Sequence, residues 1–245
     1  MTEMNTQDPT SRPVRKVFTT RAGGVSPYPY DSFNLGNHVG DNPANVTANR
    51  DRLAQALKLS PDAFVWMEQL HTNTVTVVDR RHAEPVPATD ALVTNTRGLA
   101  LAVLVADCVP VLLSDDQAGV IAAVHAGRGG ARNGIVAKTV EKMMALGAKP
   151  ARIHALLGPA ASGKNYEVPK EMAMDVERHL PGSLCKTKQG TSGLDIRAGL
   201  VRQLLSLGVR AIDADPRCTI EDDTFFSYRR QGTTGRQAGV VWLPE

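Results

Sequence analysis

Aromatic side chains are scarce in this chain, at 4% of 245 residues. A core of that size must be aliphatic, built from Val, Leu, Ala and Ile. Cysteine is rarer still: Cys108, Cys185 and Cys218 make an odd count of 3 in a chain that is not small. That argues against a disulfide scaffold and for free thiols in a reducing compartment. Excess charge is also lacking, since 28 Lys and Arg face 25 Asp and Glu for a net +3. No Lys/Arg run or aromatic-basic stripe accompanies it, so nucleic acid is not expected as a partner. Small anionic substrates remain compatible. The longest apolar stretch, Leu99 to Leu113, is interrupted by Asp107 and Pro110 and falls short of the ~20 residues that span a bilayer. The N-terminus MTEMNTQDPTSRPVRK has no apolar segment and is no signal peptide. We expect a soluble, cytoplasmic protein with no membrane partner. A disordered tail is expected over residues 1–13 and one domain over residues 14–245.

What is present is a mixture of strand and helix patterns. Val14–Thr19 reads as a strand, followed by a Gly/Pro/Asn-rich segment from Arg21 to Pro43. Loops of this length inside a compact domain are usually functional. Asn45 is the expected cap of a helix to Leu57. Strands are expected at Phe64–Gln69, Thr74–Val78, Ala91–Thr94, Leu99–Ala106, Val109–Leu113 and Val120–His125. The run Val120 to Val124 does not alternate, as in a strand covered on both faces. A Gly-rich turn, Ala126–Gly130, leads to a helix over Arg132–Leu146 that Gly147 ends. Its methionines are core filling. Ile153–Leu157 reads as a buried strand, Pro169–His179 as a helix, and Ile196–Leu207 as a helix capped by Asp195. Short strands at Val209–Ala211, Thr224–Tyr228 and Gly239–Leu243 complete the pattern. Because strands and helices do not strictly alternate, the fold class is α/β with a mixed sheet.

Three residues stand at the ends of strand-like runs: His71 after FVWMEQL, Cys108 after LALAVLVAD, and His125 after GVIAAV. Imidazole and thiolate are zinc ligands, and a three-ligand site leaves a position open for water or substrate. Two other readings stand beside this one. Cys108 can be a small core residue with both imidazoles satisfied by hydrogen bonds. It can also be a nucleophile activated by His125 or His71. Asp107 is a weaker candidate for a supporting or general-base role, because in a regular strand it points away from Cys108. Gly158 to Lys164 has the spacing of a phosphate-binding loop, but Asn165 lacks the required hydroxyl and the extended stretch before Pro169 opposes a helix there. Gly127-Arg128-Gly129-Gly130 is either a tight turn or an anion-holding one. His82 and His179 read as structural or solvated, while His38, in the long loop, carries slightly more weight. Glu221-Asp222-Asp223 reads as a solvated turn.

Several motifs then occur in order along the chain. They include Thr19-Thr20-Arg21-Ala22-Gly23-Gly24-Val25-Ser26, Asn34-Leu35-Gly36, His38-Val39-Gly40-Asp41 and Gln69-Leu70-His71. Ala106-Asp107-Cys108-Val109-Pro110-Val111, His125-Ala126-Gly127, Gly158-Pro159-Ala160 and Tyr166-Glu167-Val168 follow, then Asp195-Ile196-Arg197-Ala198, Cys218-Thr219 and Phe226-Ser227-Tyr228-Arg229-Arg230. On these the chain resembles the YfiH/YlmD family, whose members have been labelled laccase-domain proteins, purine nucleoside phosphorylases and peptidoglycan editing factors. The resemblance implies a single α/β domain with mixed β-sheets sandwiched between helices, and a Zn²⁺ site at His71, Cys108 and His125. It also implies phosphorolysis of adenosine, inosine and methylthioadenosine, and deamination of adenosine. As the alternative it implies, some relatives are linked to removing L-serine from a UDP-MurNAc peptidoglycan precursor. Two positions depart from the family pattern. Arg128-Gly129-Gly130 replaces Trp-Arg-Gly after His-Ala-Gly, and Asn165 replaces a Cys.

The expected enzyme is therefore zinc-dependent and acts on a purine nucleoside and phosphate, with His71, Cys108 and His125 as ligands at the catalytic centre. Arg21, Asn34, Arg50 and Arg128 are the expected phosphate and ribose contacts. A hydrolase acting on the UDP-MurNAc peptide, with Cys108 as nucleophile, is the rival. Copper is a less favoured occupant. A multicopper laccase needs about four coppers and His-x-His pairs, whereas this chain has 6 His and no such pair.

Overall fold

The aliphatic runs become strands buried on both faces, as their lack of alternation requires. The computed structural model describes residues 13–245, so the expected tail lies, except for Pro13, outside the described residues. In chain order the strands are β1 (Arg15–Phe18), β2 (Phe64–Val65), β3 (Val75–Val77), β4 (Ala91–Thr94), β5 (Ala100–Val105), β6 (Val109–Asp115), β7 (Val120–Ala126), β8 (His154–Leu157), β9 (Leu184–Lys186), β10 (Ser192–Leu194), β11 (Ala211–Ala214) and β12 (Gln237–Trp242). The helices are α1 (Pro43–Leu57), α2 (Arg128–Arg132), α3 (Ile135–Ala145), α4 (Lys170–His179), α5 (Ile196–Ser206) and α6 (Tyr228–Gln231).

Two mixed sheets carry the fold. A four-stranded sheet has the order β1-β12-β5-β2, and a six-stranded sheet the order β11-β8-β6-β7-β4-β3. Most neighbours are antiparallel; β2 with β5, β3 with β4 and β8 with β11 are parallel. The sheets pack face to face through Leu101, Val103 and Val105 of β5 and Leu112, Ile121 and Ala123 of the larger sheet. Alternate residues of the same strands point the other way. Ala100, Ala102 and Leu104 meet Leu53 and Ala54 of α1. Val111, Leu113, Ala122 and Val124 meet Ile135, Val140 and Met143 of α3 and Leu200 and Leu204 of α5. The result is helix, sheet, sheet, helix: mixed sheets between helices, as expected.

Local chemistry sets several boundaries differently from the sequence reading. The cap of α1 is Asn42, whose side chain accepts from Ala44 N, and Pro43 opens the helix in place of the expected start at Asn45. The helix expected over Arg132–Leu146 begins earlier and is broken. Gly134, at φ +79°, separates α2 from α3. Phe64–Gln69 is strand only to Val65, because the chain then leaves the sheet to carry His71. The last expected helix-to-strand step is displaced: β11 covers Ala211–Ala214 in place of Val209–Ala211. Thr224–Tyr228 is not a strand; Ser227 accepts from Arg230 N and caps α6. The small β9–β10 hairpin was not expected.

The Arg21–Pro43 segment is tied down by side-chain polar groups. Asn49, fully buried on α1, places Nδ2 within 2.9–3.2 Å of Ser26 Oγ, Ser32 O and Asn34 O, and accepts from Val25 N. Such satisfied amides specify one path for a loop that has no ladder of its own.

Candidate metal centre

Strand alternation delivers His125. It shares the inter-sheet face with Ile121 and Ala123 and ends that row at the open edge of the gap. Cys108 arrives from the turn between β5 and β6. Asp107 in that turn has φ +92°, a left-handed backbone that its own contacts hold. Its carboxylate accepts from the Thr219 hydroxyl at 2.6 Å and from Arg229 N at 2.7 Å, and its carbonyl from Ala161 N at 2.9 Å. His71 comes from the loop after β2 and also has positive φ, +60°.

One carboxylate organises two of these three groups. Asp90, fully buried, accepts from His125 Nδ1 at 2.7 Å. It also accepts from the backbone N–H of Leu70, His71 and Thr72 at 3.2, 3.0 and 2.8 Å, and from the Thr72 hydroxyl at 2.8 Å. Nδ1 is thereby committed, which leaves His125 Nε2 to face the thiol. His71 Nε2 lies 3.9 Å from Cys108 Sγ, and the two imidazoles meet edge to face with centroids 4.7 Å apart. All three candidate ligand atoms lie within 4.8 Å of one another.

The charges reinforce each other. Burial works against the Cys108 thiolate, but His125 and His71 outweigh it and hold the thiol down at about 6. Burial works equally against the imidazolium of His125, but Cys108 and Asp90 raise it to about 9. Burial also opposes the charge on Asp90, yet His125 and the Thr72 donors hold it at about 2. A thiolate and two imidazoles at this separation suit a borderline-soft divalent cation. Gly127 makes the cluster possible. A Cβ there would stand 3.0 Å from His71 Cδ2 and 3.1 Å from Cys108 Sγ.

The trio borders a cavity of about 360 Å³, near the lower end of ligand sites at about 300–1,000 Å³. Arg128, Arg229 and Arg236 give it positive charge, and Tyr166 and Tyr228 give it aromatic faces. Arg229 stacks on Tyr166 at 4.9 Å, and Arg128 Nη1 rests 2.6 Å from Met172 Sδ. His38 reaches the cavity from the long loop, its ring pushed down by burial and by Arg236 and Arg50.

Of the substrate contacts expected from the sequence, the structure brings Arg128 to the cavity but not the other three. Arg21 binds the Asp31 carbonyl and carboxylate and stacks on Phe226. Asn34 is fully buried, bonded to Gly36, Asp41 and Arg236 N. Arg50 gives Nε and Nη2 to the Leu35 carbonyl and lies 3.9 Å over Trp66. These three hold the loop. Asp90, Tyr166, Arg229 and Arg236 were not anticipated as site residues. Tyr166 and Arg229 lay in motifs quoted for the resemblance, so a signal existed; Asp90 followed a polar turn with none.

A mixed α/β sandwich with a His/Cys/His cluster at the edge of its inter-sheet gap defines a class of protein. The family model described as "Multi-copper polyphenol oxidoreductase laccase" matches residues 15–244, and the chain belongs to this laccase-like family, that of YfiH and YlmD. Among its relatives is a purine nucleoside phosphorylase of Corynebacterium glutamicum, 72% identical over 99% of both chains. Another of that name, from Mycobacterium tuberculosis strain H37Rv, is 56% identical over 94% of this chain and 92% of the relative. Among solved structures, YlmD from Geobacillus stearothermophilus has 33% identity and a TM-score of 0.90, covering 97% of this chain and 94% of that one. The hypothetical protein YfiH of Bacillus licheniformis has 33% identity and a TM-score of 0.87, covering 94% and 92%. The family and the cluster together point to a metal site. No helix among the described residues is long and apolar enough to cross a membrane.

Proposed function

We propose that this chain is a purine nucleoside phosphorylase working with one zinc ion held by His71, Cys108 and His125. The observation that carries the reading is the trio on the border of a cationic, tyrosine-lined cavity, in a chain 72% identical to a protein of that name. Bound zinc would supply Lewis-acid stabilisation of charge at the reacting centre.

The chain's own residues do the rest. Arg128, with Arg229 and Arg236, attracts phosphate and orients an oxygen toward the ribose anomeric carbon. Tyr166 and Tyr228 offer faces on which a purine can stack. His38, kept neutral by burial and by Arg236, can take a proton from dihydrogen phosphate at one ring nitrogen and give the one on the other to the departing base, so that the bond between C1′ and N9 breaks as the bond from C1′ to phosphate oxygen forms. Adenosine, inosine and methylthioadenosine are the proposed substrates. Water in place of phosphate, adding at C6 as the bond to the amino group breaks and ammonia leaves, would convert adenosine to inosine. Arg21, Asn34 and Arg50 contribute indirectly, by fixing the loop that presents His38.

Metal-quantified protein incubated with each nucleoside, with and without phosphate, tests this by chromatography of the products. Adenine from adenosine only when phosphate is present supports phosphorolysis; inosine without phosphate adds deamination. Cys108→Ala should lose the metal and both products. Zinc-loaded protein that turns over none of the three nucleosides would overturn the nucleoside reading. L-serine release from a UDP-MurNAc peptide would then take its place.

A further inference from the structure

β6 runs from the Cys108 turn to Asp115, and a second cavity of about 610 Å³ lies at that far end. Lys16, Asp116, Arg152 and His154 border it, and it shares no lining residue with the metal-site cavity. Three side chains from β1, β8 and β11 form a hydrogen-bonded row there. Asp213 Oδ2 accepts from His154 Nε2 at 2.9 Å. The ring hydrogen is therefore on Nε2, and Nδ1 keeps its lone pair. That Nδ1 lies 2.8 Å from Lys16 Nζ, which also donates to the His154 carbonyl at 2.9 Å.

Two acceptors thus face the amine. They satisfy both N–H groups of a neutral amine and leave its lone pair free. An ammonium would need a third acceptor. Asp115 is engaged with Arg152 and Asp213 with His154, and among the described residues Asp116 attracts the amine by charge without a hydrogen bond to it. Burial pushes Lys16 down to about 8, against the opposing pull of Asp116 and Asp213. Amines in such surroundings are the ones that serve as nucleophiles.

We propose that Lys16 is a reactive amine that forms imines with small neutral aldehydes entering this cavity. The charges of Asp116 and Asp213 beside the amine disfavour an anionic aldehyde. Nζ attacks the carbonyl carbon. His154 Nδ1 takes one N–H proton and delivers it to the carbonyl oxygen, giving the carbinolamine. A second transfer by the same route expels that oxygen as water and leaves the C=N bond. Amine and aldehyde become imine and water, with no change in oxidation state.

The test is reductive trapping on the full-length protein. Glycolaldehyde and cyanoborohydride are added across a pH series, and peptide mass spectrometry follows the rate at each lysine. At pH 7, Lys16 should react about tenfold or more faster than the median of the other lysines, because far more of it is neutral. Its pH midpoint should lie near 8. His154→Phe should abolish that advantage. Lys16 reacting at the common rate, or keeping its advantage in His154→Phe, would overturn the proposal.

Discussion

Two histidine–aspartate pairs occupy opposite ends of the larger sheet, and burial is what separates them. His125 Nδ1 and Asp90 Oδ1 are 2.7 Å apart, with side chains 3% and 0% exposed. His154 Nε2 and Asp213 Oδ2 are 2.9 Å apart, with side chains 40% and 73% exposed. The contact is nearly the same. At the inner pair water cannot screen, so the charges move each other's titration and the carboxylate also gathers three backbone N–H groups. At the outer pair solvent absorbs most of the interaction, and what survives is orientation: the ring's tautomer is set for Lys16.

The sharpest way to break this contrast is Asp90→Ala. It strands a buried imidazolium and the His71 loop donors, so thermal or denaturant unfolding should show a loss of about 3–5 kcal/mol. Metal affinity should fall about 10–100-fold as His125 and His71 lose their orientation. Gly127→Ala comes next. Its Cβ presses on His71 and Cys108, and overpacking of about 1–3 kcal/mol is expected. Metal titration of the folded variant should show weakened binding.

The pH dependence of Lys16 follows. Its folded value is about 8 and its unfolded value is near 10.4, so between those limits the unfolded chain binds more protons. Stability should therefore rise with pH across that window, by about 1–2 kcal/mol once partial exposure is allowed for. Lys16→Met should flatten the rise in a urea-midpoint series. The smallest effect belongs to Asp213→Ala, the outer counterpart of the first variant. Below about 1 kcal/mol is expected. A loss as large as that of Asp90→Ala would show that burial is not what separates the pairs.

Much of the scaffold was legible because its signals are local. The runs at β5, β6 and β7 are too apolar to alternate, so they had to be covered on both faces. Asp195 capped its helix as expected, accepting from Ala198 N. The β9–β10 hairpin was invisible: Leu184–Lys186 and Ser192–Leu194 are three-residue segments with no periodicity to read. The Thr224–Tyr228 stretch has strand-like composition, yet the Ser227 cap turned it into a helix start. At the site, His71, Cys108 and His125 stood out because each follows a strand-like run and carries metal-ligand chemistry, although the strand before His71 ends at Val65. Arg21 and Asn34 in the long loop and Arg50 on α1 bond within the loop's own framework, and from sequence a polar side chain there looks the same whether it waits for a substrate or holds the loop.

The sequence by itself determined the mixed α/β pattern, the aliphatic double-covered strands and the ligand types available for a metal. Those depend on side-chain chemistry and on spacing within one element. Tertiary structure alone decided that the three candidate ligands meet, that Asp90 binds two of them and that Arg229 and Arg236 join the cavity. It alone decided that Lys16 faces His154, 138 residues away. These are contacts between distant segments. They form only when two sheets close on a common core, and no local pattern encodes which polar group will be left facing which.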